Sequence, residues 1–265
     1  MDTPLLEALF SRPSHGSAAI NWCEADYAFT PHIAELWNSL SSLLFVAAGA
    51  HMYAQARSLG LPSALQCSGL ATAATGLASA AFHACLQLWA QRADELAENL
   101  TLVLLLHGSA GDTGASPPAL LGLHLSAVTV GVLLVSAFLF SEVHLIGSAL
   151  ISAWRLSLFQ LPNAYTSRSY SLMLRSASVC GAAGAVCWLL DRAACSSMSS
   201  LPVNPQLHAW WHALGALCLH EAFACAAYGH LVLNGKPPAP LVTKFCAGAL
   251  THLSLKDLAK LVKKS

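Results

Sequence analysis

Seven apolar runs, at roughly residues 36–56, 63–86, 94–111, 118–140, 143–161, 172–191 and 208–233, leave this chain few ways to fold. Each is near the ~20 residues that a helix needs to cross a bilayer, and in hydrocarbon the helix satisfies its own backbone. Breakers separate the later runs: Gly111 to Pro118, Gln160 to Arg168, and Ser196 to Gln206 with two prolines. The chain is 55% hydrophobic and only 10% charged, which excludes an ordinary soluble domain. The expected fold is therefore all-α: a seven-transmembrane-helix bundle over 35–233, a short polar amino-terminal segment over 1–34, and a basic carboxyl tail over 234–265. Formal net charge is zero, so nothing points to nucleic acid or an acidic partner, and no obligate protein partner is evident.

Charge position sets the expected topology. After Pro240, Lys256, Lys260, Lys263 and Lys264 interleave with Leu255, Leu258, Leu261 and Val262, a basic amphipathic helix suited to an anionic membrane face. Seven spans put Arg57, Arg168 and Arg175 on the same side as this tail, against Arg12, Arg92 and Arg192 on the other. The positive-inside rule then places the tail in the cytosol and the amino terminus in the lumen. No basic region followed by an apolar stretch opens the chain, so no cleavable signal peptide is expected. Nine cysteines lie far apart, without the CxxC spacing of a thiolate zinc site.

The chemistry-bearing residues collect at one end of these runs. His208-Ala-Trp-Trp-His212 places two imidazoles four apart on one helical face. Two readings are open for the pair: interfacial hydrogen bonding, or half of a metal site completed by His83. Seven spans bring Ser79, His83, Asp94, Asp191, His208 and His212 into one layer, the parts of a metal-assisted hydrolase. The same layer holds Asn21, Glu24, Asp26 and Glu35, whose oxygens suit a hard cation such as calcium. Read from the residues alone, that turn is more simply a capped one. Structural readings also exist for others: Ser79 bonding back to its own helix, Asp94 as an N-cap with Glu98 as its surface partner, and Asp191 with Arg192 as an interfacial pair. His107, His124, His144, His220 and His230 read as core or interfacial histidines, and Glu221 has no assigned partner.

The motifs Asn21-Trp22-Cys23-Glu24 through Tyr27, Ala34-Glu35-Leu36-Trp37-Asn38, Ser79 to His83, Asp94-Glu95-Leu96, Cys187-Trp188 to Asp191-Arg192 with Cys195, and Leu207 to His212 follow one another over residues 21 to 212. In this order they resemble the alkaline ceramidases, seven-helix membrane hydrolases that are distantly similar to the adiponectin receptors. The resemblance implies hydrolysis of ceramide to a sphingoid base and a fatty acid. It implies His83, His208 and His212 as zinc ligands, and Ser79 and Asp94 as catalytic partners. It also implies Asn21, Trp22 through its carbonyl, Glu24, Asp26 and Glu35 as calcium-binding positions. Two departures stand out. Asn21 and Asp26 exchange the family's usual Asp and Asn, and Phe245 leads into Cys246-Ala247-Gly248 where the family has an aromatic and proline-rich tail.

The mechanism this implies has zinc acidifying water toward a pKa of ~7. Asp94 then carries the proton to the leaving amine, and Ser79 donates to the oxyanion. The competing expectation is a seven-helix lipid receptor with a structural zinc site. An ion transporter is disfavoured because the ionisable groups pool at one end. The resemblance places the chain in an endoplasmic reticulum or Golgi membrane, amino terminus lumenal. On that face the topology brings Cys23 to Cys195, an expected disulfide in a compartment where disulfides persist.

Overall fold

The computed structural model describes residues 16–109, 118–134, 144–151, 168–234, 244–246 and 250–252. Helices carry the body: α1 (Leu36–Ser58), α2 (Ser63–Cys85), α3 (Leu88–Gly108), α4 (Pro118–Leu134), α5 (144–151), α6 (Arg168–Ala193) and α7 (Leu207–Leu233). A helical turn, Cys195–Ser199, follows α6. Two three-residue strands, Lys244–Cys246 and Leu250–His252, pair antiparallel in the tail. The basic amphipathic helix expected beyond them lies outside the described residues.

α3 differs from its sequence boundary. It begins at Leu88 with Gln87 in the N-cap position, six residues ahead of Asp94. Asp94 is therefore no cap. It lies in the second turn, and both it and Glu98 face inward on a cavity, so Glu98 is no surface partner either.

Along parts of α1 and α2 polar residues face inward and leucines outward, the reverse of a water-soluble helix. On α1, Asn38, Ser39, Ser42 and Gln55 are buried while Leu40, Leu43 and Leu44 are exposed. On α2, Thr72, Thr75 and Ser79 are buried while Leu70 and Leu77 are exposed. Small residues let these polar faces close on each other, as in membrane helix pairs. A Cβ on Gly69 would lie 2.5 Å from the Tyr53 amide, and one on Gly76 would lie 2.7 Å from the Ser42 carbonyl. Glycine at this crossing is what lets Ser42 of α1 reach Ser79 of α2. Among the described residues one helix, Tyr170–Ala193, is long and apolar enough to cross a membrane by composition alone. α1, α2 and α3 carry too many inward polar groups to pass that measure.

α1 packs against α2 and α7, α2 against α3, α3 against α4, and α6 against α7. Met52, Leu65, Leu105, Met173 and Phe223 form an apolar core toward one end of the bundle. At the other end the amino-terminal segment closes over the helices. The last carbonyls of a helix have no partner within it. At the end of α2 the carbonyls of His83, Ala84 and Leu86 accept from the amides of Glu35, Ala34 and Ala18, each at 3.0 Å. At the start of α1 the orphans are amides. Glu24 caps them from outside the helix, its two oxygens accepting from Trp37 N–H (2.7 Å) and Asn38 N–H (2.9 Å). The segment is thus hydrogen-bonded to two helix ends at once.

Candidate metal centre

Three histidines from two helices converge beneath this cap. His83 sits in the last turn of α2, while His208 and His212 occupy the first two turns of α7. The spacing of four in α7 puts the latter pair on one face. All three are buried, and their ligand nitrogens lie within 4.8 Å of one another.

Each ring is oriented by a neighbour. His83 Nδ1 pairs with Glu35 Oε2, and its Nε2 is buried without a hydrogen bond; with the Glu35 carboxylate accepting from Nδ1–H, the Nε2 lone pair is open. A carboxylate behind an imidazole fixes the tautomer and raises the basicity of the free nitrogen. His212 Nδ1 lies 2.8 Å from Ser41 Oγ, which itself donates to the Asn38 carbonyl at 3.1 Å. Ser41 therefore accepts from Nδ1–H, so that the Nε2 lone pair is open. His208 stacks on Trp22 with ring centroids 3.6 Å apart, and its Nδ1 is buried without a hydrogen bond. Uncompensated polar nitrogens in a buried site cost about 1–3 kcal/mol each. Three imidazoles offering lone pairs to one space are the donor set of a zinc centre, so the residues fit that ion.

Ser79 lies one turn before His83 and is hydrogen-bonded to Ser42 at 3.1 Å. Asp94 lines the adjoining cavity together with His208, His212, Phe82, Trp188 and Trp211. The amino-terminal turn abuts this centre. Asn21 Nδ2 donates to Asp26 Oδ2 at 3.0 Å, while Asn21 Oδ1 is buried without a hydrogen bond. Burial, reinforced by the nearby Glu35 charge, raises the Glu24 carboxyl above the usual carboxylate range against the pull of its two backbone bonds. Glu35 faces both ways, since Oε1 accepts from Trp22 N–H at 3.0 Å and Oε2 meets His83.

Cys23 and Cys195 are joined in a disulfide, with Cα atoms 5.3 Å apart. Beside it, Asp191 accepts from the Cys23 amide at 2.9 Å, and the Arg192 guanidinium lies 5.3 Å from the Trp22 ring centroid. The Asp191-Arg192 pair thus grips the turn that holds Trp22 on His208. The motif reading includes Asn38 without giving it a role and misses the positioning groups Ser41 and Ser42. The signal for Asn38 and Ser42 is a polar Glu35, Asn38, Ser42 stripe at i, i+3 and i+7 inside an apolar run.

The family model described as Ceramidase matches residues 14–251. The chain is 27% identical over 202 residues to an alkaline ceramidase of Arabidopsis thaliana, covering 74% of this chain and 77% of that protein. It is 26% identical over 229 residues to an alkaline ceramidase of Drosophila melanogaster, covering 80% and 77% respectively.

Proposed function

The chain belongs to the ceramidase family, and from that premise we propose that it hydrolyses the amide bond of ceramide, releasing a sphingoid base and a fatty acid. The observation that carries this reading is the buried histidine triad, two members of which, His208 and His212, line a cavity walled by Phe82, Trp188 and Trp211. His83, His208 and His212 would hold zinc. When bound, zinc polarises a carbonyl and makes water a competent nucleophile near neutral pH.

The chain's own residues supply the rest. Glu35 and Ser41 orient His83 and His212. Asp94 takes the proton of the attacking water and returns it to the leaving nitrogen, because an amide nitrogen cannot leave as an anion. Ser79, one turn from a ligand, donates to the tetrahedral oxygen. Ser79 is not the nucleophile in this account, since the group hydrogen-bonded to it is the Ser42 hydroxyl and not a base.

Calcium at the amino-terminal turn would be held by Asn21, the Trp22 carbonyl, Glu24, Asp26 and Glu35. The uncompensated Asn21 Oδ1 supports this, as does the buried carboxylate of Glu24, whose charge a cation would stabilise. In this account calcium is structural, stiffening the cap over the histidines and modulating activity. The outward leucines and inward polar faces support a bundle that spans the membrane seven times over residues 35–233. Residues 1–34 then lie in the lumen of the endoplasmic reticulum or Golgi, and 234–265 in the cytosol.

One preparation tests the reading. Detergent-purified protein should release sphingoid base from ceramide, seen by mass spectrometry, and carry one zinc per chain by elemental analysis. Stoichiometric zinc with no turnover would favour a lipid receptor with a structural metal, and turnover without zinc would remove the metal from the mechanism.

A further inference from the structure

The α3 wall of the cavity carries more acid than the proposed hydrolysis uses. Asp94, Glu95 and Glu98 all line it, and their situations differ. Glu95 is committed to its own helix, accepting from Gln91 Nε2 at 2.7 Å and from Arg92 at 2.6 Å. Asp94 is the proton carrier of the proposed reaction. Glu98 lies one turn further on, about 6 Å along the axis at 1.5 Å per residue. No hydrogen bond to Glu98 is formed among the described residues; burial weighs on its carboxyl group first, and the acids Asp94 and Glu95 beside it on the helix add charge of the same sign. A carboxyl group in a cavity wall among like charges is costly unless a cation visits.

The other residues of the lining say which kind of cation. Trp188 and Trp211 line the same cavity, and aromatic faces together with carboxylates are the chemistry that recognises an organic ammonium. Amide hydrolysis creates such a group. The C–N bond breaks, the acyl carbon gains the water oxygen, and the new acid loses the proton that the amine gains. A neutral amide becomes a carboxylate and an ammonium, because an aliphatic amine has a pKa near ~10. A carboxylate in that wall gains nothing from the uncharged substrate and much from the charged product.

We propose that Glu98 is a specificity residue that receives the ammonium of the released sphingoid base and sets how tightly this product is held. The assignment rests on the amide-hydrolase reading and deepens it: the cavity distinguishes an amine from the amide it came from.

Inhibition of ceramide turnover measures this directly, with sphingosine compared against the same molecule bearing a hydroxyl in place of the amine. In the wild type the amine should inhibit at least about tenfold more tightly than the alcohol. Glu98→Gln should cut that ratio by about tenfold, and Glu98→Asp should keep most of it, as expected for one charge-assisted contact. A ratio unchanged in Glu98→Gln overturns the proposal. If Glu98→Gln does not fold, a wild-type ratio near one overturns it instead. Absence of ceramide turnover in the wild type strikes the hydrolase reading alone. The amine-to-alcohol ratio, then read from ligand-induced shifts in melting temperature, still decides the role of Glu98.

Discussion

Two sets of three histidines sit in this bundle, and they differ in what their nitrogens face. His83, His208 and His212 form no hydrogen bonds to one another. Their partners are Glu35, Ser41 and the Trp22 ring, which turn the remaining nitrogens toward a common space. His107, His124 and His144, from α3, α4 and α5, are bonded in series. His107 Nε2 meets His124 Nδ1 at 3.1 Å, and His124 Nε2 meets His144 Nε2 at 3.0 Å. Asn99 sets the direction. Its Nδ2 donates to the Glu95 carbonyl, so its Oδ1 accepts from His144 Nδ1 at 2.6 Å. Every proton in that row then points the same way, and the lone pairs between the rings are spent on neighbouring imidazoles. Having three histidines together does not make a ligand set; what matters is whether the groups around them leave the lone pairs unspent.

The largest expected effect comes from exchanging the two sets. His83→Ala, His208→Ala or His212→Ala should each abolish ceramide hydrolysis with loss of bound zinc, since three ligands leave no redundancy. His124→Ala should keep the zinc and cost only stability, about 1–3 kcal/mol for a broken buried hydrogen-bond row. Elemental analysis and turnover on all four variants check this. Zinc lost from His124→Ala, or kept by any of the other three, would erase the distinction.

Next is the clamp that only the first set possesses. The disulfide closes a sequence separation of 172 residues, and the chain-entropy model assigns such a loop about 5 kcal/mol. Cys23→Ser with Cys195→Ser should melt at a markedly lower temperature and bind zinc more weakly, because Trp22 is released from His208. The row at His124 should be indifferent, which hydrogen exchange on α3 and α4 would report.

A smaller effect separates the two serines that accompany the sets. Ser79→Ala should retain zinc and lose about two to three orders of magnitude in rate, as for one oxyanion donor. Ser148, whose Oγ lies 3.5 Å from His144 Nε2, should change the rate by less than about twofold when replaced by alanine. An acyl group trapped on Ser79 would instead make it a nucleophile.

The smallest effect concerns pH. The Glu24 carboxyl is raised by burial, so its contribution to stability is present in full below its unfolded pKa and lost as pH rises through the higher folded value. Calcium bound at the turn, as proposed, would offset that loss by stabilising the charged form. The gain in melting temperature on adding calcium should therefore grow from pH 5 to pH 7.5, and Glu24→Gln should flatten the dependence. An equal calcium shift at both pH values would return the turn to a simple helix cap.

Much of this was legible in one dimension because helical periodicity turns spacing into direction. The spacing of four between His208 and His212, or between Ser79 and His83, fixes a shared face whatever the rest of the chain does. The apolar runs fix helices, since a backbone in hydrocarbon has few other ways to satisfy itself. The start of α3 was not legible, because Asp94 has the chemistry of a cap, while the first turns of the helix are held by hydrogen bonds from the Leu88 amide to Ser17 and from the Ala19 amide to Gln91, contacts with a segment some seventy residues away. Nor was the fate of Glu98, since sequence places a carboxyl group on a helix but does not say what stands opposite. The two histidine sets make the same point. All six residues are visible along the chain. Which three aim lone pairs at one common space depends on Glu35, Ser41 and Trp22 on one side and Asn99 on the other, contacts between elements far apart in sequence that exist only once the helices have packed.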